Sequence, residues 1–265
     1  MTGKYTHGHA ESVLRSHRSR TAASSAAYLL PHLDPGQRLL DVGSGPGTIT
    51  ADLTTLVAEV VALEIDEEAA ELTRQGAPGA DVRIGDVHAL PFADGEFDVV
   101  HAHQVLQHVA DPVTALREMA RVTRPGGVVA ARDSDYATFA WWPRLPELDR
   151  WLALYSAAAR ANGGEPDAGR RLLAWAHAAG LSEATASSST WCYATPESRQ
   201  WWGGMWADRI VGSALAEQLV HEERATRDEL EEISAAWRAW ARDPDGWFSV
   251  HHGEILVPKQ GPPAA

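Results

Sequence analysis

At 265 residues, with 45% hydrophobic and 22% charged content, the chain has the make-up of one large folded α/β domain with room for an insertion. Its 36 acidic residues outweigh 23 basic ones, leaving a net charge of −13 that disfavours a nucleic-acid partner held by its phosphates. Lysine occurs only at Lys4 and Lys259 and no run approaches ~18 apolar residues, so neither a membrane surface nor a membrane span is expected. The early residues hold charges and histidines where a signal peptide needs an apolar core, which predicts a cytoplasmic protein. The single cysteine, Cys192, fits a reducing compartment and is expected to be a small buried hydrophobe.

In chain order, Val13, Leu14, Ala22, Ala26, Leu29, Leu30 and Leu33 fall on one helical stripe that stops near Asp34, Pro35 and Gly36, predicting a helix over 11–33. Residues 38–50, RLLDVGSGPGTIT, then read as a short apolar strand, three glycines (Gly43, Gly45, Gly47) and a helix start. Such a turn exposes backbone N–H groups at the carboxyl end of a strand. Its G-x-G-x-G spacing departs from the G-x-G-x-x-G of dinucleotide turns. A second strand, EVVALEID, carries Glu64, close to the roughly 20-residue separation at which a carboxylate meets a ribose diol. DVRIGD ends in Asp86, FDVVHAHQ ends in His103 and Gln104, and a fifth run, GGVVAARDSDY, follows the turn 124–127. Helices are predicted over 67–74 and after Asp111 and Pro112. Strands alternating with helices imply a parallel sheet covered on both faces, with ligands beyond the carboxyl ends of the strands, where these residues lie.

The second half reads as a helix over 146–162, a helix capped by Asp167 and carrying Leu172, Leu173, Trp175 and Ala176, a Ser/Thr-rich strand SEATASSSTWCYA, and a last strand over 246–257. Between those strands Thr195 and Pro196 open one helix and Thr226 with Glu229 another. The eleven tryptophans lie beyond position 140, and a stripe of them at helical spacing is more often core than a substrate box. The adjacent pairs Trp141–Trp142 and Trp201–Trp202 cannot all face inward on one helical face, so at least one of each is expected at a pocket or an interface.

The ordered set LLDVGSGPGT, Glu64 and GDVHALPFADGEFDVVHAHQVLQHVADPVTALREMARVTRPGG, over about residues 35–133, resembles class I S-adenosylmethionine-dependent methyltransferases. The nearest branch is the small-molecule one that includes the ubiquinone and menaquinone biosynthesis enzymes. The resemblance implies a doubly wound, mostly parallel seven-stranded α/β sheet of the Rossmann-like methyltransferase fold. It also implies one domain, with an N-terminal lid and helix over 1–34 and a cofactor-binding core over 35–133; the helices over 195–245 depart from the family's plain terminal hairpin and are expected to form a helical cap inserted between the last two strands.

The implied cofactor is S-adenosyl-L-methionine. By resemblance, Asp41 and the turn at Gly43, Ser44, Gly45 and Gly47 lie beside its amino-acid end. Glu64 accepts from the ribose hydroxyls with Ile65 against the adenine, Asp86 and the Val87 N–H meet the adenine edge, and His103 or Gln104 closes the methionine side. Methyl transfer from a sulfonium is an in-line displacement, so a base is needed only where the acceptor must lose a proton. His103 is the candidate catalytic base, histidine being the type that titrates near neutrality. Candidate substrate residues are Tyr5 and His9 in the lid, Asp135 and Tyr136 after the fifth strand, Trp201 in the cap, and His251 in the last strand. No metal motif is present. The expected partner is a small-molecule acceptor with an O, N, S or C nucleophile, and a homodimer is left open. The competing readings are a non-catalytic S-adenosylmethionine-binding protein and an NAD-dependent oxidoreductase on a similar sheet.

Overall fold

A computed structural model describes residues 16–260. Five strands, β1 (Arg38–Val42), β2 (Glu59–Glu64), β3 (Asp81–Ile84), β4 (Phe97–His103) and β5 (Thr123–Ser134), run parallel in the order β3-β2-β1-β4-β5. β8 (Trp247–Pro258) lies antiparallel against β5, β7 (Thr185–Tyr193) pairs antiparallel with β8, and the short β6 (Ala140–Trp142) pairs with the start of β8. The sheet therefore has eight strands, β6 being the one the periodicity did not reveal. Leu39, Leu40, Val60, Val61, Val99 and Val100 are all buried, because helices cover both faces of the parallel part.

One face packs on α3 (Pro112–Val122) and α5 (Leu172–Ala178), through Leu116, Met119, Leu172 and Ala176 against Leu40, Val100 and Ile255. Asp111 caps α3 by accepting from the Thr114 N–H at 2.9 Å, and Pro112 occupies the first helical position, where its missing N–H costs nothing. The other face packs on α1 (Thr48–Leu53) through Ile49 and Leu53, while α2 (Glu67–Gly76) covers the edge near β3. Beyond the sheet's other edge α4 (Pro146–Ala161), α6 (Pro196–Gly212), α7 (Ala214–His221) and α8 (Arg227–Arg242) form a third apolar cluster, with α6, α7 and α8 lying in sequence between β7 and β8. Its centre is Trp151, whose ring meets Trp206 at 4.5 Å and Trp237 at 4.9 Å edge to face, the geometry aromatic quadrupoles favour. Most tryptophans are thus core, as their helical stripe implied.

Several local expectations change. The described part of the helix expected over 11–33 is helical at residues 16–18 and is then broken into the single turn Ala22–Ser25 and a 3-10 turn Leu30–His32. Thr21 and Ser24 exchange a capping box there, since hydroxyls compete with the backbone for its hydrogen bonds, and Pro31 cannot continue a helix. Asp167 does not cap α5; its carboxylate accepts from the Ala137 N–H and from Arg160, and α5 starts from a 3-10 turn at Gly169–Arg171. Cys192 is exposed, because on edge strand β7 its neighbours Trp191 and Tyr193 turn toward the interior and the pleat sends it outward. Of the pair Trp141–Trp142 the first is buried and the second is 59% exposed, facing solvent.

Candidate active site

The glycine bend after β1 is built by three left-handed residues, Gly43 (φ 69°), Gly45 (57°) and Gly47 (78°). A side chain at Gly43 would press on Val105, whereas at Gly45 nothing lies within 4 Å, so the bend presents an open face there. Glu64, at the end of β2, accepts from the Gly45 N–H and from the Ser44 hydroxyl at 3.2 Å. Burial pushes its carboxyl up, against those two hydrogen bonds. Asp41 accepts from Thr50 Oγ1 at 2.6 Å and meets His101 Nδ1 at 2.9 Å, a buried anchor fixing the end of β1. Asp86 takes the His88 N–H at 2.9 Å and the His88 ring at 2.6 Å; burial works upward on its carboxyl, but these hydrogen bonds outweigh it and hold it below the usual range.

A cavity of about 300 Å³ opens over these strand ends. Of the residues expected at a cofactor, Asp41, Gly43, Ser44, Gly45, Glu64, Ile65, Asp86, Val87, His103 and Gln104 line it. Gly47 does not; it precedes α1 and packs against Thr73 of α2 and Ala77 just after that helix. Of the substrate candidates, Tyr136 and Trp201 line the cavity. Asp135 does not: its carboxylate is clasped by Arg170 in two hydrogen bonds of 2.6 Å. His251 is likewise off the cavity wall, its carbonyl accepting from the Asp135 N–H while its strand neighbours Val250 and His252 point to the other face. Tyr5 and His9 lie outside the described residues.

The opposite end of the cavity is aromatic. Trp191 and Tyr193 of β7, Trp201, Trp202 and Trp206 of α6, and Tyr136 and Phe139 after β5 line it, with the Tyr193 and Trp202 rings stacked at 4.4 Å and 8°. His103 stands between the two ends, 6% exposed, with neither ring nitrogen hydrogen-bonded. Burial first, then the guanidiniums of Arg20 and Arg132, hold its imidazole well below the ordinary range, so at neutral pH it is uncharged. Next to it Gln104 adopts a left-handed backbone (φ 55°) and its amide meets Ser134 Oγ at 2.8 Å and His252 Nε2 at 2.9 Å.

The segment ahead of β1 binds to this site on four sides. Arg20 donates to Gln104 Oε1 at 2.7 Å, the Ser24 carbonyl accepts from Trp191 Nε1 at 2.8 Å, the His17 carbonyl from Thr48 Oγ1 at 3.2 Å, and Ser16 Oγ from Arg209 at 2.9 Å. Arg20, Trp191, Tyr193, Trp206 and Arg209 were not anticipated, whereas Trp202 belongs to the pair of which at least one was expected at a pocket. The alternation Trp191–Cys192–Tyr193, read as a strand with one inward face, was the one signal that could have pointed to the two β7 aromatics.

S-adenosylmethionine suits the glycine-bend end. A ribose diol and an adenine amine are donors, the carboxylates of Glu64 and Asp86 are acceptors at successive strand ends, and the bend leaves an open face at Gly45. Fold and site together define a Rossmann-like methyltransferase.

Comparison with known proteins agrees. The methyltransferase domain family matches residues 40–131. An uncharacterised methyltransferase of Schizosaccharomyces pombe is 33% identical over 97% of this chain and 96% of its own length. A demethylmenaquinone methyltransferase of Renibacterium salmoninarum is 40% identical, over 40% of this chain and 44% of its own. In structure, a phosphoethanolamine N-methyltransferase of Haemonchus contortus, solved with S-adenosylhomocysteine, superposes with a TM-score of 0.53 at 15% identity, over 89% of this chain and 52% of that one. The chain belongs to the S-adenosylmethionine-dependent methyltransferases.

Proposed function

We propose that the protein methylates a small-molecule O, N, S or C nucleophile held in the aromatic end of the cavity. The observation that carries this reading is the division of one cavity into a carboxylate-lined glycine bend and an aromatic chamber, with His103 between them. When bound, S-adenosylmethionine supplies a methyl group on a sulfonium, which a correctly aligned lone pair displaces in line. The protein's share is alignment and exclusion of water. Glu64 holds the diol and Asp86 the exocyclic amine, with the Val87 N–H beside the adenine ring. Asp41 and the Gly43–Gly45 backbone seat the amino-acid end, and Gln104 fixes the methionine side. Trp201, Trp202 and Tyr193 press the acceptor flat against the wall, and residues 16–24 keep solvent out. His103 offers the acceptor an uncharged imidazole.

Transfer of a labelled methyl group to a panel of phenols, thiols and amines tests this. Label in at least one small molecule supports it; tight S-adenosylmethionine binding without transfer to any of them would count against an O, N or S acceptor of this kind.

A further inference from the structure

The cavity is electrically divided. Its carboxylates, Asp41, Glu64, Asp66 and Asp86, all stand at the ends of β1 and β2 or just after β3; among the described residues, none lines the aromatic chamber. That chamber instead has two guanidiniums in its wall, Arg20 over the Trp191 ring at 5.6 Å and Arg209 over the Trp206 ring at 4.7 Å. The arrangement is unexpected in a chain of net charge −13. Two residues that line the chamber also carry a buried polar group without a hydrogen-bond partner: the Trp202 indole N–H, on a residue 6% exposed, and the His103 ring. An indole N–H can only donate, and a neutral imidazole offers one donor and one acceptor. Buried donors left unmet are costly, which points to a ligand acceptor atom.

Resting on the function proposed above, we infer that the methyl acceptor is a planar aromatic or enolic hydroxyl compound that binds as its oxyanion. The ring lies within the aromatic chamber, with its hydroxyl oxygen in the plane of the Trp202 indole. The oxyanion is received by the Trp202 and His103 N–H groups within the positive field of Arg20 and Arg209. The proton leaves to solvent when the acceptor binds. The oxyanion's electron pair then forms the new O–C bond as the S–C bond breaks and its pair stays on sulfur, so both charges vanish and no proton remains to be moved. No enzyme base is required, and His103 is unsuited to be one: it is buried, and the charges acting on it, from Arg20, Arg132, His252 and His101, all oppose a second proton. The same holds for His108, held down to about 4 by burial and Arg20. The tyrosines agree: burial holds the Tyr193 and Tyr136 hydroxyls protonated, while their charged neighbours, Arg20 with Arg132 and Arg209 with Arg20, are again cations.

The test uses two flat probes of nearly equal shape, 4-nitrophenol, whose anion is yellow, and 4-nitroaniline, which stays neutral, titrated into the full chain saturated with S-adenosylhomocysteine. The expected result is nitrophenol bound at least about tenfold tighter than nitroaniline, with its apparent pKa lowered by about one unit on binding. Arg209→Gln should shrink that shift and Arg209→Lys should keep most of it. Nitrophenol bound in its colourless form, nitroaniline bound equally well, or no binding of either probe would overturn the inference. Calorimetry with S-adenosylhomocysteine in the same sample separates the two levels: its failure to bind would sink the proposed function, whereas its binding alongside a colourless or absent nitrophenol would sink only the oxyanion.

Discussion

The carboxylate of Glu64 accepts the backbone N–H of Gly45, joining the end of β2 to the glycine bend after β1 across 19 positions of sequence. The acid thus holds the bend in shape, while burial pushes its pKa up and works against its charge. A diol arriving at Glu64 would supply donors to a carboxylate that is already oriented and only partly satisfied, which is preorganisation in a water-poor site.

Gly43 and Gly45 should respond differently to alanine. Both are left-handed, which costs a non-glycine residue about 1–2 kcal/mol, but at Gly43 the new methyl would also lie 2.5 Å from Val105 Cγ2. Gly43→Ala should therefore cost about 2 kcal/mol or more in thermal or denaturant unfolding, part of it recovered by adding Val105→Ala. Gly45→Ala should cost about 1 kcal/mol of stability and chiefly weaken S-adenosylmethionine binding, because its methyl enters open cavity.

Asp133 is buried with Oδ1 accepting from the Gln107 N–H at 3.1 Å and Oδ2 unpartnered, and burial pushes its carboxyl up to about 8. Its folded pKa lies above the unfolded value, so its contribution is fully present below about 4 and is lost as pH rises through about 8. Asp133→Asn keeps the Oδ1 acceptor and removes the titration. Its stability relative to the native chain should grow between pH 4 and 8 by up to about 1.4 kcal/mol per pH unit and then level off. Urea unfolding at a series of pH values checks this; a difference that does not vary with pH would refute it.

His108 titrates in the opposite sense. Its folded pKa of about 4 lies below the unfolded 6.5, so the unfolded chain takes up the proton first and stability falls as pH drops through that window. The native chain should lose thermal stability between pH 6.5 and 4, and His108→Gln should show a shallower loss. Equal slopes for the two proteins would count against a half-buried imidazole held neutral.

The parallel half of the fold was legible because its signals are local. Apolar runs ending in glycine, Glu64, Asp86 and His103 place those residues at strand ends wherever the chain alternates strand and helix. Residues brought in from afar were not legible. Arg20 reaches Gln104 across 84 positions and Arg209 reaches Ser16 across 193, and neither pairing leaves a mark in periodicity. Asp135 misled for a related reason: its place after β5 was right, but Arg170, 35 residues on, turns its carboxylate away. The pair Trp201–Trp202 did reach the cavity, whereas Trp142 went to solvent because β6 is a sheet edge with little to cover it.

The central claim is that Glu64 and Asp86 hold one nucleoside beside the glycine bend, and calorimetric titration with S-adenosylmethionine tests it most directly. One-site binding is expected for the native chain, weakened about ten- to a hundredfold by Glu64→Gln, the worth of a charged hydrogen bond, and weakened further by adding Asp86→Asn. Native-like affinity in the double variant, or tight binding of NAD in place of S-adenosylmethionine, would contradict it.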